Sequence, residues 1–200
     1  MTKKVLHHFQ KVDPVMYTAI QSIQLEEVEP VASQQYFQNL CRSIAGQQLT
    51  GKAAETIFGR FRELFLKKKV TPKGVLSVSG DTMRGAGLSW AKVWSIQDFA
   101  AKVSSREVRL KGLRGMADEE VIEELTKVRG IGPWTAEMFL MFTLGREDVF
   151  SVGDLGLRRG MERLYRLAAP TQEEMLAIAA KWSPYRSWGS RALWRFIDGK

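Results

Sequence analysis

The sequence predicts an all-α fold, on three observations. Apolar residues recur at helical spacing along nearly the whole chain, no alternating strand pair joined by a hairpin turn competes with them, and stretches rich in Gly, Ser and Pro fall between the periodic segments. Tyr36, Phe37, Leu40, Cys41 and Ile44 share one helical face. Thr50 is placed to cap the next segment, whose face carries Ala54, Ile57, Phe58, Phe61 and Phe65. The Gly- and Ser-rich stretch 77–89 reads as a connection between helices. In "DEEVIEELTKV", residues 118–128, Val121, Leu125 and Val128 follow Asp118, Glu119 and Glu120, acidic residues that suit the positive end of a helix dipole. Near the end, Thr171 with Glu174 three residues on is a capping-box pattern, and Pro184 marks where that helix has already stopped. No repeat or low-complexity tract interrupts the series.

At 200 residues the chain can bury roughly 70% of its unfolded surface, enough for one substantial core or two lobes sharing an interface, and it reads as a single domain over 1–200. The 30 basic residues exceed the 22 acidic ones, for a formal charge of +8. That balance favours a polyanionic partner, nucleic acid first and an acidic membrane surface second. "MTKKVLHHFQ" has no long apolar run behind its lysines, and no stretch of about 18 consecutive apolar residues occurs, so a soluble intracellular protein is expected, with no membrane partner. Cys41, the single cysteine, can form no internal disulfide and cannot alone supply the four thiolates of an iron-sulfur cluster. Lys67, Lys68 and Lys69 read as a solvated helix end, and His7 and His8 as a solvated terminal pair rather than metal ligands.

The stretch "LTKVRGIGPWTAEMFLMF", residues 125–142, breaks one helix and restarts another at once. Gly130 and Gly132 tolerate backbone angles closed to other residues, and Pro133 fits the first turn of a helix. "RGIGP" is therefore a tight connection inside a hairpin over about 119–145, its second helix running toward Gly145. Such a turn can aim the backbone N–H groups of Gly130, Ile131 and Gly132, with Thr135 in the following turn, at a phosphate; an ordinary helical hairpin with a glycine stop has the same sequence signature. Downstream, "REDVFSVGDLGLRRGMERLY" places Asp154 ahead of a periodic, arginine-rich helix bearing Arg158 and Arg159. Alone, an aspartate there is an N-cap.

Hairpin and aspartate together resemble the helix-hairpin-helix DNA glycosylase superfamily, whose catalytic aspartate follows the hairpin by some twenty residues; Asp154 stands at that position. "IAGQQLTGKAAETIFGRF", "GLSWAKVWSIQDFA" and "WSPYRSWGSRALWRF" are similar to segments of the 3-methyladenine DNA glycosylase II branch, so the resemblance covers most of the chain from about residue 35 onward. Larger bacterial members add an N-terminal β-rich domain, for which there is no room here, so this chain resembles a compact form. The resemblance implies a two-lobed helical bundle with its active site in the cleft between lobes. It also implies a monomeric, monofunctional enzyme of base excision repair, hydrolysing the N-glycosidic bond of alkylated purines such as 3-methyladenine and 7-methylguanine in double-stranded DNA. A bacterial homologue would work at the nucleoid in the cytoplasm, a eukaryotic one in the nucleus.

Bifunctional members carry a lysine in the second hairpin helix that attacks the sugar; Trp134 occupies the matching position, so no lyase activity is expected. Endonuclease III-like relatives end in a four-cysteine cluster, which the cysteine-free C-terminal region lacks. By family position Trp134 stacks on the flipped base, with Tyr185 and Met138 beside it, while Tyr185 equally suits a core; Trp90, Trp94 and Trp182 are expected in the core. Gln48, with Gln47 and Leu49 as neighbours, matches the side chain that wedges into the base stack, although a glutamine here can also cap or bridge two helices. The resemblance further implies a monovalent cation, Na+ or K+, on the backbone carbonyls of Thr126, Val128 and Ile131, and no other cofactor. Two alternatives stay open: a hairpin module that binds DNA lesions without chemistry, and a glycosylase for ethenoadenine, hypoxanthine or another neutral lesion.

Overall fold

The computed structural model describes residues 2–21 and 23–199. Among these the chain forms twelve α-helices and no strand: α1 (Lys3–Val12), α2 (Pro14–Gln21), α3 (Tyr36–Gly46), α4 (Gly51–Glu63), α5 (Pro72–Leu76), α6 (Gly80–Gly85), α7 (Trp90–Ser104), α8 (Asp118–Thr126), α9 (Pro133–Phe142), α10 (Leu155–Tyr165), α11 (Gln172–Ala180) and α12 (Arg186–Asp198). The starts of α1, α5, α6, α7, α10 and α11 follow from capping side chains that satisfy first-turn amides. Thr171 Oγ1 accepts the Glu174 N–H at 3.2 Å while Glu174 returns a bond to the Thr171 N–H at 2.8 Å, the box its sequence predicts. Glu120 likewise reaches back to the Ala117 N–H at 2.8 Å. Thr50 does precede α4, but its side chain makes no capping bond. The stretch 77–89, expected as a plain connection, holds α6, because Ser79 accepts the Thr82 N–H at 3.1 Å and Ser89 then caps α7 through the Lys92 N–H. Two serines thus start two helices within ten residues.

The chain divides into two compact units, one made of 1–30 with 140–200 and the other of 31–139. In the continuous unit, α3 and α7 bring Phe37 and Phe99 into a stack with centroids 4.7 Å apart, and Tyr36 meets Phe139 edge-on at 5.3 Å. Ile44, Phe61 and Ile96 are fully buried with them. The Lys92 ammonium donates to the Ala45 carbonyl at 2.7 Å, and burial holds its pKa below the ordinary lysine value. In the discontinuous unit, Phe9, Met16, Met161, Met175, Trp182 and Leu193 form the core. Its polar centre is Asp13, only 6% exposed: it caps α2 through the Met16 N–H at 2.9 Å and accepts from the Tyr165 hydroxyl at 2.6 Å and Trp182 Nε1 at 2.8 Å. Burial, then the Asp13 carboxylate, push the Tyr165 phenol well above its usual range, so it remains a donor.

Trp182 is a core residue as expected, but Trp90 and Trp94 are not: they are 41% and 46% exposed. The buried face of α7 is already filled by Val93, Ile96, Phe99 and Ala100, which leaves both tryptophans on the rim. His8 also departs from expectation. Its ring packs edge-on against Tyr185 at 5.2 Å and Phe9 at 5.8 Å, while His7 is exposed.

Candidate active site

The hairpin turn is fixed from three directions. Internally, Val128 donates to the Leu125 carbonyl and Ile131 to the Val128 carbonyl, both at 3.1 Å. From α7, Asp98 accepts the Arg129 N–H at 2.8 Å, and Ser95 lies so close that a Cβ on Gly130 would stand 2.4 Å from its hydroxyl. Gly130 also has φ of +78°, so glycine is required there twice over. From the α3–α4 turn, Gln47 Nε2 donates to the Gly130 carbonyl at 2.9 Å and to Thr135 Oγ1 at 3.3 Å. Pro133 then opens α9 with the Gly132 carbonyl taking the Ala136 N–H at 3.1 Å.

This geometry revises three expected roles. Ile131 is a buried side chain whose N–H is spent within the turn, so it does not offer that N–H to a phosphate. Thr135 is 3% exposed and its hydroxyl serves Gln47. Gln47 is a brace between two helices rather than a wedge. Gly130 and Gly132 remain exposed, and among the described residues no partner takes their N–H groups. At the neighbouring turn Gln48 is exposed with φ of +59°, beside the exposed Leu49, so both stand at a loop tip. Trp134 is 45% exposed on the first turn of α9, and Met138 is half-buried one turn on. Tyr185 corrects the sequence reading: at 6% exposure it belongs to the core of the discontinuous unit, held edge-on by His8, because the segment ahead of α12 turns it inward. It offers no free face to a base.

Asp154 caps α10. Its Oδ1 accepts the Leu157 N–H at 2.7 Å and Trp194 Nε1–H at 3.0 Å. Cap and carboxylate orientation are therefore one arrangement. A Cβ on Gly156 would lie 2.9 Å from that same Oδ1 and 3.0 Å from the Trp194 indole, so the hydrogen bond has room only because residue 156 has no side chain. Trp194 in turn stacks on Phe142, centroids 6.0 Å apart. The pair lines an open recess of about 770 Å3 with Leu25, Glu26, Arg191 and Asp198. Arg191 is tied down by donating to the Glu26 carbonyl at 2.6 Å. The start of α12, the helix that carries Trp194, is pinned by Asp148, which accepts from Arg186 Nε at 2.8 Å and from Ser183 Oγ at 2.8 Å. Burial raises the Asp148 pKa, but the Arg186 and Ser183 hydrogen bonds and the Arg186 charge outweigh it and leave the carboxyl below its ordinary value. Trp194, Phe142 and Gly156 were not singled out by sequence reasoning. The motif "WSPYRSWGSRALWRF" contains Trp194, but no spacing rule distinguishes it from Trp188, which is buried.

No cluster of three or more His, Cys, Asp or Glu residues suited to a metal occurs among the described residues, and no helix there is long and apolar enough to cross a membrane. At the C-terminal end of α8 the Lys127 carbonyl accepts a hydrogen bond from the Lys102 ammonium.

Comparison with known proteins matches residues 41–184 to the family described as HhH-GPD superfamily base excision DNA repair protein. DNA-3-methyladenine glycosylase 1 of Schizosaccharomyces pombe is 34% identical over 174 residues, which are 86% of this chain and 74% of that protein. The solved S. pombe 3-methyladenine DNA glycosylase Mag1, in complex with abasic DNA, superposes with a TM-score of 0.82 at 29% identity, covering 96% of both chains. A DNA-3-methyladenine glycosidase from Bacillus halodurans gives 0.80 at 36% identity, over 97% of this chain and 88% of that one.

Proposed function

The chain belongs to the HhH-GPD superfamily of base excision DNA repair proteins, and from that premise we propose that it is a DNA glycosylase which hydrolyses the N-glycosidic bond of alkylated purines in double-stranded DNA, without lyase activity. The observation that carries the reading is Asp154, fixed through one oxygen by Leu157 N–H and Trp194 Nε1–H at the start of α10. Alkylation at a ring nitrogen leaves the base cationic, so the glycosidic bond is already weakened and little general-acid help is needed. The other fragment needs the enzyme. As the bond breaks, the deoxyribose becomes an oxocarbenium-like cation, which the Asp154 carboxylate stabilises electrostatically while it orients the attacking water and takes its proton. The products are free base and an abasic site.

The base leaves the stack first, at a cost of a few kcal/mol that is smaller for a damaged pair. Trp134, exposed on α9, is the proposed stacking partner, and a cationic purine on such a face gains about 0.5 to 2 kcal/mol. The Phe142–Trp194 stack lies beside the Asp154 carboxylate, to which Trp194 donates. Gly130 and Gly132 present their N–H groups to a phosphate, and Gln48 or Leu49 at its loop tip fills the space the base vacates. Because Trp134 replaces the lysine of bifunctional relatives, the strand should stay intact after base release. The carbonyls of Thr126, Val128 and Ile131 have the oxygen chemistry that suits Na+ or K+, which would brace the turn for its phosphate contact.

Base-release assays on duplexes carrying a panel of defined lesions test this reading. Release of 3-methyladenine or 7-methylguanine, with strand cutting only after alkali or heat, is the expected result. Release of only neutral lesions would move the substrate class, no release from any lesion would leave a binding module, and borohydride trapping of a covalent adduct at neutral pH would make the enzyme bifunctional.

A further inference from the structure

Four side chains form a row on the surface of the continuous unit that the proposed chemistry leaves unused. The Arg84 guanidinium lies over the Trp90 ring at 5.7 Å, Trp90 stacks on Trp94 at 6.0 Å with planes 25° apart, and the Arg129 guanidinium lies over Trp94 at 5.1 Å. Tryptophan normally goes inside, yet these two are 41% and 46% exposed. Arg84 and Arg129 are exposed as well, and Arg84 Nη1 donates to the Leu88 carbonyl at 2.7 Å, which leaves the rest of its guanidinium for a further contact. Stacking also holds the two arginines in place, so a contact to an anion costs them little further rotamer entropy. The row ends at Arg129, the residue immediately before Gly130 of the hairpin. Asp98 beside it is already engaged by the Arg129 N–H and, at 3.4 Å, by the Lys102 ammonium, so the row keeps its positive charge.

We propose that Arg84, Trp90, Trp94 and Arg129 form a rail for the phosphate backbone of duplex DNA, continuing the hairpin's contact along one strand on one side of the lesion. The proposal rests on the glycosylase reading. Rungs 5.1 to 6.0 Å apart make the row long enough to follow a strand for a few nucleotides, at about 3.4 Å of axial rise each. Planar guanidiniums and indole N–H donors suit phosphate oxygens, and none of these contacts reads base identity.

The test is fluorescence anisotropy at several salt concentrations, on long duplexes with and without an abasic-site analogue and on versions with either arm shortened. Arg84→Gln with Arg129→Gln is expected to lower the slope of log K against log salt by about 1.8, two phosphates at about 0.9 each, and to weaken damaged and undamaged duplexes by the same factor. Shortening one arm, but not the other, should do the same to the wild type and abolish the difference between the proteins. Trp90→Ala with Trp94→Ala keeps both charges and should weaken binding with little change of slope. Arg84→Gln alone, farthest from the hairpin, should cost about 0.9 of slope and guards against misfolding of the double variant. Unchanged slope and affinity in folded variants, with a wild type that binds and excises normally, overturns the rail and makes the row a structural brace or a protein-facing patch. A wild type that neither binds DNA nor releases bases overturns the glycosylase reading as well.

Discussion

The hairpin turn and the Asp154 turn each join two helices, yet they are built from opposite materials. At the hairpin the groups we propose to contact DNA are backbone N–H donors, and the side chains around them, Gln47, Ser95 and Asp98, hold the backbone in place. At Asp154 the proposed catalytic group is a side chain, and a backbone amide, Leu157 N–H, holds it. The hairpin should therefore be sensitive to what is added, the Asp154 turn to what is removed.

Asp154→Asn is the sharpest test and the largest expected effect. Asparagine still caps α10, so melting temperature and affinity for abasic DNA should change little, while single-turnover base release falls by about 10²–10⁴-fold with loss of the negative charge. Gly130→Ala should do the reverse. With φ of +78° and Ser95 2.4 Å from the new Cβ, it should cost about 1–3 kcal/mol of stability by chemical denaturation and weaken binding to damaged and undamaged duplexes alike. Gly132→Ala sharpens the contrast: nothing lies within 4 Å of its Cβ, so stability should hold within about 0.5 kcal/mol, and any lost DNA affinity reports the approach of a phosphate. Trp194→Phe keeps an aromatic ring against Phe142 but removes one donor from Oδ1; excision should drop by about tenfold, with DNA binding unchanged. The smallest effect concerns Asp148. Its folded pKa is depressed, so its contribution is present above the ordinary carboxylate value of about 4 and is lost as pH falls through the folded value. Thermal melts of Asp148→Asn should lie below wild type at neutral pH and converge with it in acid.

What the sequence made legible was local. Gly130 with Pro133, the acidic first turn of α8, the Thr171–Glu174 box and Asp154 as a cap all depend on residues within a few positions of one another, and each stands where the pattern put it. What it hid was tertiary. The Gln47 brace joins residues 83 and 88 positions apart, and Trp194 reaches Asp154 across 40. Trp90 and Trp94 are expected in the core as large aromatics, but residue type could not say that Val93, Ile96 and Phe99 would take the interior of α7 and leave both outside. Tyr185, whose place in the sequence suited a base pocket and a core equally, is enclosed by His8 and the core.

Asp13 ties the order of synthesis to the order of folding. Its carboxylate joins Tyr165 and Trp182, 152 and 169 positions away, so the unit to which all three belong cannot close until Trp182 has left the ribosome. The unit of 31–139 is contiguous and can form while the remainder is still being made. During that interval α1 and α2 carry Val5, Phe9, Met16 and Ile20 without the partners that later bury them. Such surfaces are where a nascent chain aggregates or recruits a chaperone, and long-range closure of this kind is slow. The contacts of that carboxylate therefore form only after residues 31–139 have been made.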